Sequence, residues 1–207
     1  MGVEAGVKVK LTSYLDFRAL GTYSDAKYLN NADVKYLHST SADYTTDVVY
    51  NKGMRESGTP LTATSLGLSY HQKGWFIDVN GNWYDRIYLS YSPCMRYGET
   101  LETMGNVDKD GNYEVPGQVM GHGGWMLDLS IGKSIYLKRG SLSINLMITN
   151  ALNNQSIVTG GYEQSRSDYT LNAEGSINNV RAYKFSQNPK KYYAFGTNGM
   201  LNIAYKF

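Results

Sequence analysis

The 207-residue sequence predicts an all-β fold, an antiparallel transmembrane β-barrel arc of about seven strands, on three observations. Seven segments alternate apolar and polar residues with a period of two, the period a strand imposes because successive side chains point to opposite faces. Tight turns and long polar segments alternate between them, as they do where short turns lie on one side of a membrane and long loops on the other. Aromatics sit near the strand ends, and 19 Tyr against 5 Phe and 3 Trp is an amphipathic mixture suited to membrane interfaces.

The first segment carries Val3, Ala5, Val7, Val9 and Leu11 on one face, with Glu4, Lys8 and Lys10 on the other. The second sets Leu15, Phe17, Ala19, Gly21 and Tyr23 against Asp16, Arg18, Thr22 and Ser24, and the third sets Leu66, Leu68 and Tyr70 against Ser65, Gly67, Ser69 and His71. Trp75, Ile77, Val79, Gly81 and Trp83 form the apolar face of the fourth, opposite Asp78, Asn80, Asn82, Tyr84 and Arg86. In the fifth, Trp125, Leu127, Leu129, Ile131, Ile135 and Leu137 oppose Asp128, Ser130, Gly132 and Ser134. The sixth opposes Leu142, Ile144, Leu146 and Ile148 to Ser143, Asn145 and Thr149. The seventh runs as one strand from Lys191 to Phe207, with Tyr193, Phe195, Leu201, Ile203, Tyr205 and Phe207 on a single face. About ten residues at a tilt of about 40° cross the apolar band of an outer membrane, so these segments are long enough to span it.

Tight turns are expected at Thr12-Ser13, Lys73-Gly74 and Lys138-Arg139-Gly140, and long loops at Ala26–Pro60, Ser92–Gly123 and Ala151–Lys190. Loops of that length are uncommon in compact soluble domains. Seven is an odd count, whereas single-chain bacterial barrels have even counts, and an open edge in lipid leaves backbone groups unsatisfied. The seven strands are therefore expected to be the closing arc of a larger barrel, its remainder supplied by the same protein or by a second chain.

Composition narrows the function classes. The net charge of +2, without a basic run, gives no footprint for nucleic acid. The single Cys94 allows no disulfide within the chain. No stretch of about 18 apolar residues marks a transmembrane helix, and the first residues lack the pattern of a secretory signal. A mean hydropathy of −0.42 fits strands with one wet face, and it also fits a Tyr-rich soluble carbohydrate-binding β-sandwich, which stays open as an alternative.

Five runs taken together carry a resemblance: Tyr23-Ser24-Asp25-Ala26-Lys27-Tyr28 with Asn30-Asn31-Ala32, Gly58-Thr59-Pro60-Leu61-Thr62-Ala63, Trp83-Tyr84-Asp85-Arg86-Ile87-Tyr88-Leu89, Thr149-Asn150-Ala151-Leu152-Asn153-Asn154, and Thr159-Gly160-Gly161-Tyr162-Glu163-Gln164. As a set they resemble the C-terminal third of TonB-dependent outer-membrane receptors, in the branch of SusC-like importers and receptors with a carboxypeptidase-regulatory-like domain. The resemblance implies residence in the bacterial outer membrane and a 22-stranded barrel filled by an N-terminal plug. It also implies import of a bulky nutrient, a glycan or a peptide, driven through the inner-membrane TonB complex. On this reading residues 1–207 are wall, contacting outer-membrane lipid and the remainder of the barrel, with a SusD-like surface lipoprotein as a further partner. Plug, signal peptide and the TonB-contacting segment are expected to be absent from the chain. The alternative within the membrane is a split-barrel subunit that pairs with another barrel chain in a surface or assembly complex.

Several residues invite a functional reading. Ile203, Tyr205 and Phe207 fit a C-terminal barrel-assembly signal, and Trp75, Trp83, Trp125 and Tyr193 fit the membrane-interface aromatics. Trp75 and Trp83, eight residues apart on one face, are about 20 Å apart along the membrane normal at strand rise and tilt. Lys133 on the apolar face is expected to snorkel near the Arg139 turn or to mark a bulge. Asp108, Asp110, Asn112 and Glu114 alternate oxygen groups, but Tyr113 stands where a calcium loop needs Gly, so Asp110-Gly111 is read as a hairpin tip. His38, His71 and His122 have no ligand spacing, and no metal or cofactor is expected. Gly121-His122-Gly123-Gly124 is read as flexible entry to a strand, since no nucleophile elbow accompanies it. No catalysis is expected. Tyr36, Tyr44, Tyr50, Tyr97, Tyr113 and Tyr169 are loop aromatics without an assigned ligand.

Overall fold

The structure is a computed structural model and describes residues 1–37, 42–163 and 189–207, with the short strands at 170–171 and 177–178. His38, Gln164 and Tyr169 lie outside the described residues. In chain order, β1 (Gly2–Lys10) and β2 (Leu15–Ser24) form a hairpin, and β3 (Ala32–Leu37) and β4 (Tyr44–Val49) form a second one inside the first long loop. Next come the paired β5 (Pro60–Gln72) and β6 (Trp75–Ile87), then a 3-10 turn at Pro93–Arg96 and the short α1 (Gly98–Thr103). A further hairpin joins β7 (Gly124–Tyr136) to β8 (Ser141–Thr149). The last long loop holds β9 (Val158–Tyr162), β10 (Thr170–Leu171), β11 (Ile177–Asn178) and β12 (Lys190–Tyr193) before β13 (Asn198–Lys206).

The seven predicted strands make one antiparallel sheet in the order β1-β2-β5-β6-β7-β8-β13. Register carries the alternation across it without a slip of face. Val7 pairs with Ala19, Ala19 with Leu66, Leu66 with Gly81, Gly81 with Leu127; further along, Leu129 pairs with Ile148 and Ile148 with Gly199. Directly paired residues share a face, so one surface of the sheet is apolar from edge to edge. The opposite face is bound into a polar network. Arg18 donates to Ser69 (3.2 Å), Ser65 to Asn82 (2.7 Å), Asn82 to Asp128 (2.9 Å) and Ser130 to Asn145 (3.0 Å).

Neither face is covered by another layer. Val3, Leu66, Leu68, Ile131, Leu146, Leu201 and Ile203 are all exposed, and among the described residues no second sheet packs on the seven strands. A continuous apolar surface of this extent is far larger than the patches water-borne monomers tolerate. A β-sandwich would press two such faces together, an arrangement the described residues do not form.

The tight turns fall where expected. Lys73 (φ 50°) and Gly74 (φ 78°) both take the left-handed region that a two-residue hairpin of the primed type requires. Leu11 N–H donates to Leu15 O (2.9 Å), and Leu137 N–H donates to Gly140 O (3.0 Å), closing the other two.

Three expectations need correction. β5 begins at Pro60, earlier than its apolar alternation starts, because over its first residues the apolar pair Leu61 and Ala63 lies on the opposite face, with Thr62 and Thr64 on the face of Leu66. The last strand is not continuous. It breaks at 194–197, and its first part, β12, pairs with β9 outside the main sheet, so Tyr193 does not belong to the barrel face. Lys133 causes no bulge, since register runs unbroken through its pairs with Trp75 and Ile144. Its Nζ reaches the Lys73 turn and donates to Lys73 O (2.8 Å), rather than extending toward Arg139.

Candidate functional site

Every buried apolar side chain among the described residues lies in the long loops or at the strand ends that enter them. They are Val49, Met54, Leu61, Ile87, Leu89, Met95, Leu101, Ile157, Val158 and Ala194. The long-loop side therefore carries the folded cap of the chain, while the sheet leaves both its faces to other surroundings. The cap is the candidate functional surface.

A buried ion pair ties the second loop to the third. Arg96 directs both guanidinium nitrogens at the Glu163 carboxylate (2.6 and 2.8 Å), and neither side chain has exposed surface. Arg96 also donates to Pro116 O (3.0 Å), lies over the Tyr91 ring (5.2 Å), and Ser92 N–H donates to Glu163 (3.3 Å). The first loop joins through Asp47, whose carboxylate accepts from Gly98 N–H (3.1 Å) and Glu99 N–H (3.0 Å) at the start of α1. Tyr36 stacks on Tyr97 at 4.7 Å and 22°, and Tyr50 packs against Tyr113 at 4.7 Å. These four predicted loop aromatics are thus inter-loop packing, while Tyr44 stays exposed. The Glu102 carboxylate, accepting from the Tyr113 hydroxyl, pushes that phenol up to about 12, and Glu99 raises Tyr36 in the same way.

Asn150 anchors the third loop to the sheet. It is buried at φ 50°; its N–H donates to Asp128 (2.9 Å), its amide nitrogen donates to Phe195 O (2.8 Å) and Asn154 O (3.1 Å), and its amide oxygen accepts from Asn154 N–H (3.0 Å). At the outer rim, Asp25 meets three cations, Arg55 (3.0 Å), Lys27 (3.2 Å) and Arg86 (3.5 Å), and hydrogen bonds from Lys27 and Arg55 hold its carboxyl below the usual carboxylate range. Beside it, an open cleft of about 810 Å³ runs along the outer end of β1 between Val3, Tyr23, Tyr28, Leu29 and Glu56. Tyr162 and Tyr192, ring centroids 6.3 Å apart with Lys190 Nζ within 6 Å of both, form an exposed aromatic pair on β9 and β12.

The residues assigned to assembly and to the interfaces separate into two ends. Ile203 and Tyr205 lie on the apolar face of β13, paired with Ile144 and Leu142, and the Tyr205 hydroxyl donates to Arg139 O (2.6 Å) in the β7–β8 turn. Phe207 follows, fully exposed, with its ring 6.3 Å from that of Tyr205. Trp75 sits at the short-turn end; Trp83 and Trp125 face each other at the long-loop end, rings 5.4 Å apart.

The hairpin-tip reading of Asp110-Gly111 holds. Asp108 accepts from Asp110 N–H (2.9 Å) and Asn112 N–H (2.8 Å), and Gly111 sits at φ 83°. Among the described residues no three of His, Cys, Asp and Glu gather around a metal-sized space. The glycines around His122 are not a flexible entry. A Cβ on Gly123 would overlap the Tyr84 carbonyl, and one on Gly121 would overlap the Val158 side chain, so close packing demands them. No sequence pattern singles out Arg96 or Asp47, and Glu163 stands out only as a member of the run from Thr159 to Gln164. The only local hint was Ser92-Pro93, a helix-start signal just before Arg96.

No family profile and no curated protein matches the sequence. Among solved structures, the siderophore receptor PiuA from Acinetobacter baumannii aligns with a TM-score of 0.55 at 14% identity, over 99% of this chain and 21% of that one. The chain thus spans about a fifth of the structure it matches, and the likeness shows the fold alone, that of a β-barrel segment.

Proposed function

We propose that the chain is the C-terminal barrel wall of a TonB-dependent receptor in the bacterial outer membrane, serving the import of a bulky nutrient. The observation that carries this reading is the apolar face of the seven-stranded sheet, which requires a covering medium and has none among the described residues. The fold shared with a siderophore receptor and the five sequence runs support the receptor assignment. Those runs favour the SusC-like branch and a glycan or peptide as cargo over the siderophore of the structural neighbour. The task of this segment is positional. Its strands form wall, its β13 end carries the assembly signal, and its loop cap presents the outer surface on which a SusD-like lipoprotein sits. Coupling to TonB belongs to the N-terminal part of the whole receptor.

Pairing of the two sheet edges is a necessary part of this function. With seven antiparallel strands, β1 and β13 run in the same direction and cannot close on each other in an antiparallel barrel. Each edge needs a strand from elsewhere, and leaving it open in lipid costs several kcal/mol per backbone group. Those strands come from the same receptor or, in the split-barrel reading, from a second chain.

Membrane fractionation with protease shaving tests the proposal. The protein is expected in the outer-membrane fraction, cleaved from outside only within residues 26–59, 88–123 and 150–197. Recovery as a monodisperse folded particle in detergent-free buffer would overturn it.

A further inference from the structure

Charge is distributed unequally between the two ends of the sheet. At the long-loop end cations meet acids, as Lys27, Arg55 and Arg86 meet Asp25. At the short-turn end Lys8 meets Asp16 beside the first turn (3.2 Å), while Lys73, Lys133, Lys138, Arg139 and Lys206 form no ion pair among the described residues. Register brings them together. Trp75 pairs with Lys133, Ser134 N–H donates to Gly74 O (2.7 Å), and the Lys138-Arg139 turn lies just beyond. The bond from Tyr205 to Arg139 O places the end of β13, with Lys206, beside that turn. The nearest acid along these hairpins, Asp78, projects from the opposite face and is engaged by Ser69 and Arg18.

Immediately above the cations the same strand ends show exposed apolar side chains, Trp75, Ile131 and Ile135, and Lys133 Nζ lies 4.7 Å from the Trp75 ring centroid. A row of unpaired cations bordering an apolar strip is complementary to a molecule with an anionic head and hydrocarbon tails. We infer that the short-turn rim between β5 and β13 binds anionic phospholipid in the leaflet that faces the short turns, its headgroup held by Lys73, Lys138 and Arg139. Lys133, fixed by the Lys73 carbonyl and Trp75, marks the boundary between headgroup and acyl chain. This inference rests on the membrane reading of the sheet.

The test reconstitutes the chain together with the strands that complete its barrel in vesicles of phosphatidylcholine alone and in vesicles doped with phosphatidylglycerol, then counts retained lipid by native mass spectrometry. The wild type is expected to retain phosphatidylglycerol in preference to phosphatidylcholine, and added salt is expected to weaken that preference. The variant Lys73→Asn/Lys138→Gln/Arg139→Gln loses about five-fold per cation, on the order of a hundred-fold in all. A control variant, Lys52→Gln/Lys109→Gln on the loop side, retains lipid as the wild type does. Insertion into both vesicles with equal retention by wild type and triple variant overturns this inference alone, as does full displacement by inorganic phosphate at matched concentration. Failure of the completed barrel to insert into either vesicle overturns the membrane reading and this inference with it.

Discussion

Arg96 and Glu163, 67 positions apart, form a two-pronged ion pair from which solvent is excluded on both sides. Because the pair joins the second long loop to the third, it makes the cap one unit. Removing one partner strands a buried charge, which costs about 3–5 kcal/mol, whereas replacing both by apolar groups of similar volume is often near neutral. Arg96→Met is therefore expected to strip hydrogen-exchange protection from Leu101 and Val158, and Arg96→Met/Glu163→Leu to restore most of it. Equal loss in both variants would show that the pair is not the tie.

Asn150 and Phe195 make the second tie. The Asn150 amide nitrogen satisfies the Phe195 carbonyl just before the chain enters β13, and the residue holds a left-handed backbone conformation that Asn tolerates better than most. Asn150→Ala loses both properties and is expected to cost about 2–4 kcal/mol, the sum of stranded buried groups and backbone strain. Asn150→Gly keeps the conformation and loses only the side chain. Exchange of the Ala194 amide, which donates to Ile157 O, reports the difference. Ala and Gly variants that behave alike would remove the conformational part of the argument.

What the sequence discloses follows from the range of the interactions concerned. The seven sheet strands are legible because each pays its structural signal locally, every second residue, and because Lys73-Gly74 and Arg139-Gly140 mark where the chain reverses. The cap is not legible, since Asp47 meets Gly98 and Arg96 meets Glu163 across 51 and 67 positions without any periodic trace. The alternation runs β12 into β13 for a related reason. Tyr193 continues the alternation of Leu201 and Ile203, and only the pairing of β12 with β9 shows that the chain has left the sheet. Asn150 lay within a run that drew attention, yet its role appears only once Phe195 is seen beside it.

Phe76 lies over Gly132 on the polar face of the sheet, where a Cβ at Gly132 would overlap the aromatic ring. Gly132→Ala is expected to displace Phe76 from its rotamer at about 1–3 kcal/mol. Phe76→Ala in the Gly132→Ala background should recover part of that loss. Urea unfolding of the vesicle-bound protein measures both, and additive costs would show that the ring does not need the glycine.

Tyr113 gives the cap an alkaline limit. Its hydrogen bond to Glu102 raises the phenol from 10.0 to about 12, so the folded cap holds this proton more tightly than the unfolded chain does. The associated stability is fully present below pH 10 and is lost as pH rises from 10 to about 12. Ultraviolet titration of tyrosinate should show a late-ionising phenol that disappears in Tyr113→Phe. Glu102→Gln should return it toward the ordinary range, and an unchanged titration in that variant would remove Glu102 as the cause.

Leu129 occupies the middle of the apolar face, paired with Val79 on one side and Ile148 on the other, and Ile135 lies six residues nearer the short turns. If hydrocarbon covers this face, an arginine costs about 2–4 kcal/mol at mid-depth and about 0–1 near an interface. Leu129→Arg should therefore impair assembly into the membrane strongly and Ile135→Arg little, with Asn145→Arg on the polar face also tolerated. Folded yield in the outer-membrane fraction measures the three together. The gradient between Leu129 and Ile135 is the informative quantity, because lipid produces a dependence on depth. A packed protein core would penalise both positions according to the fit of their neighbours, and equal losses at Leu129 and Ile135 would count against a bilayer as the medium.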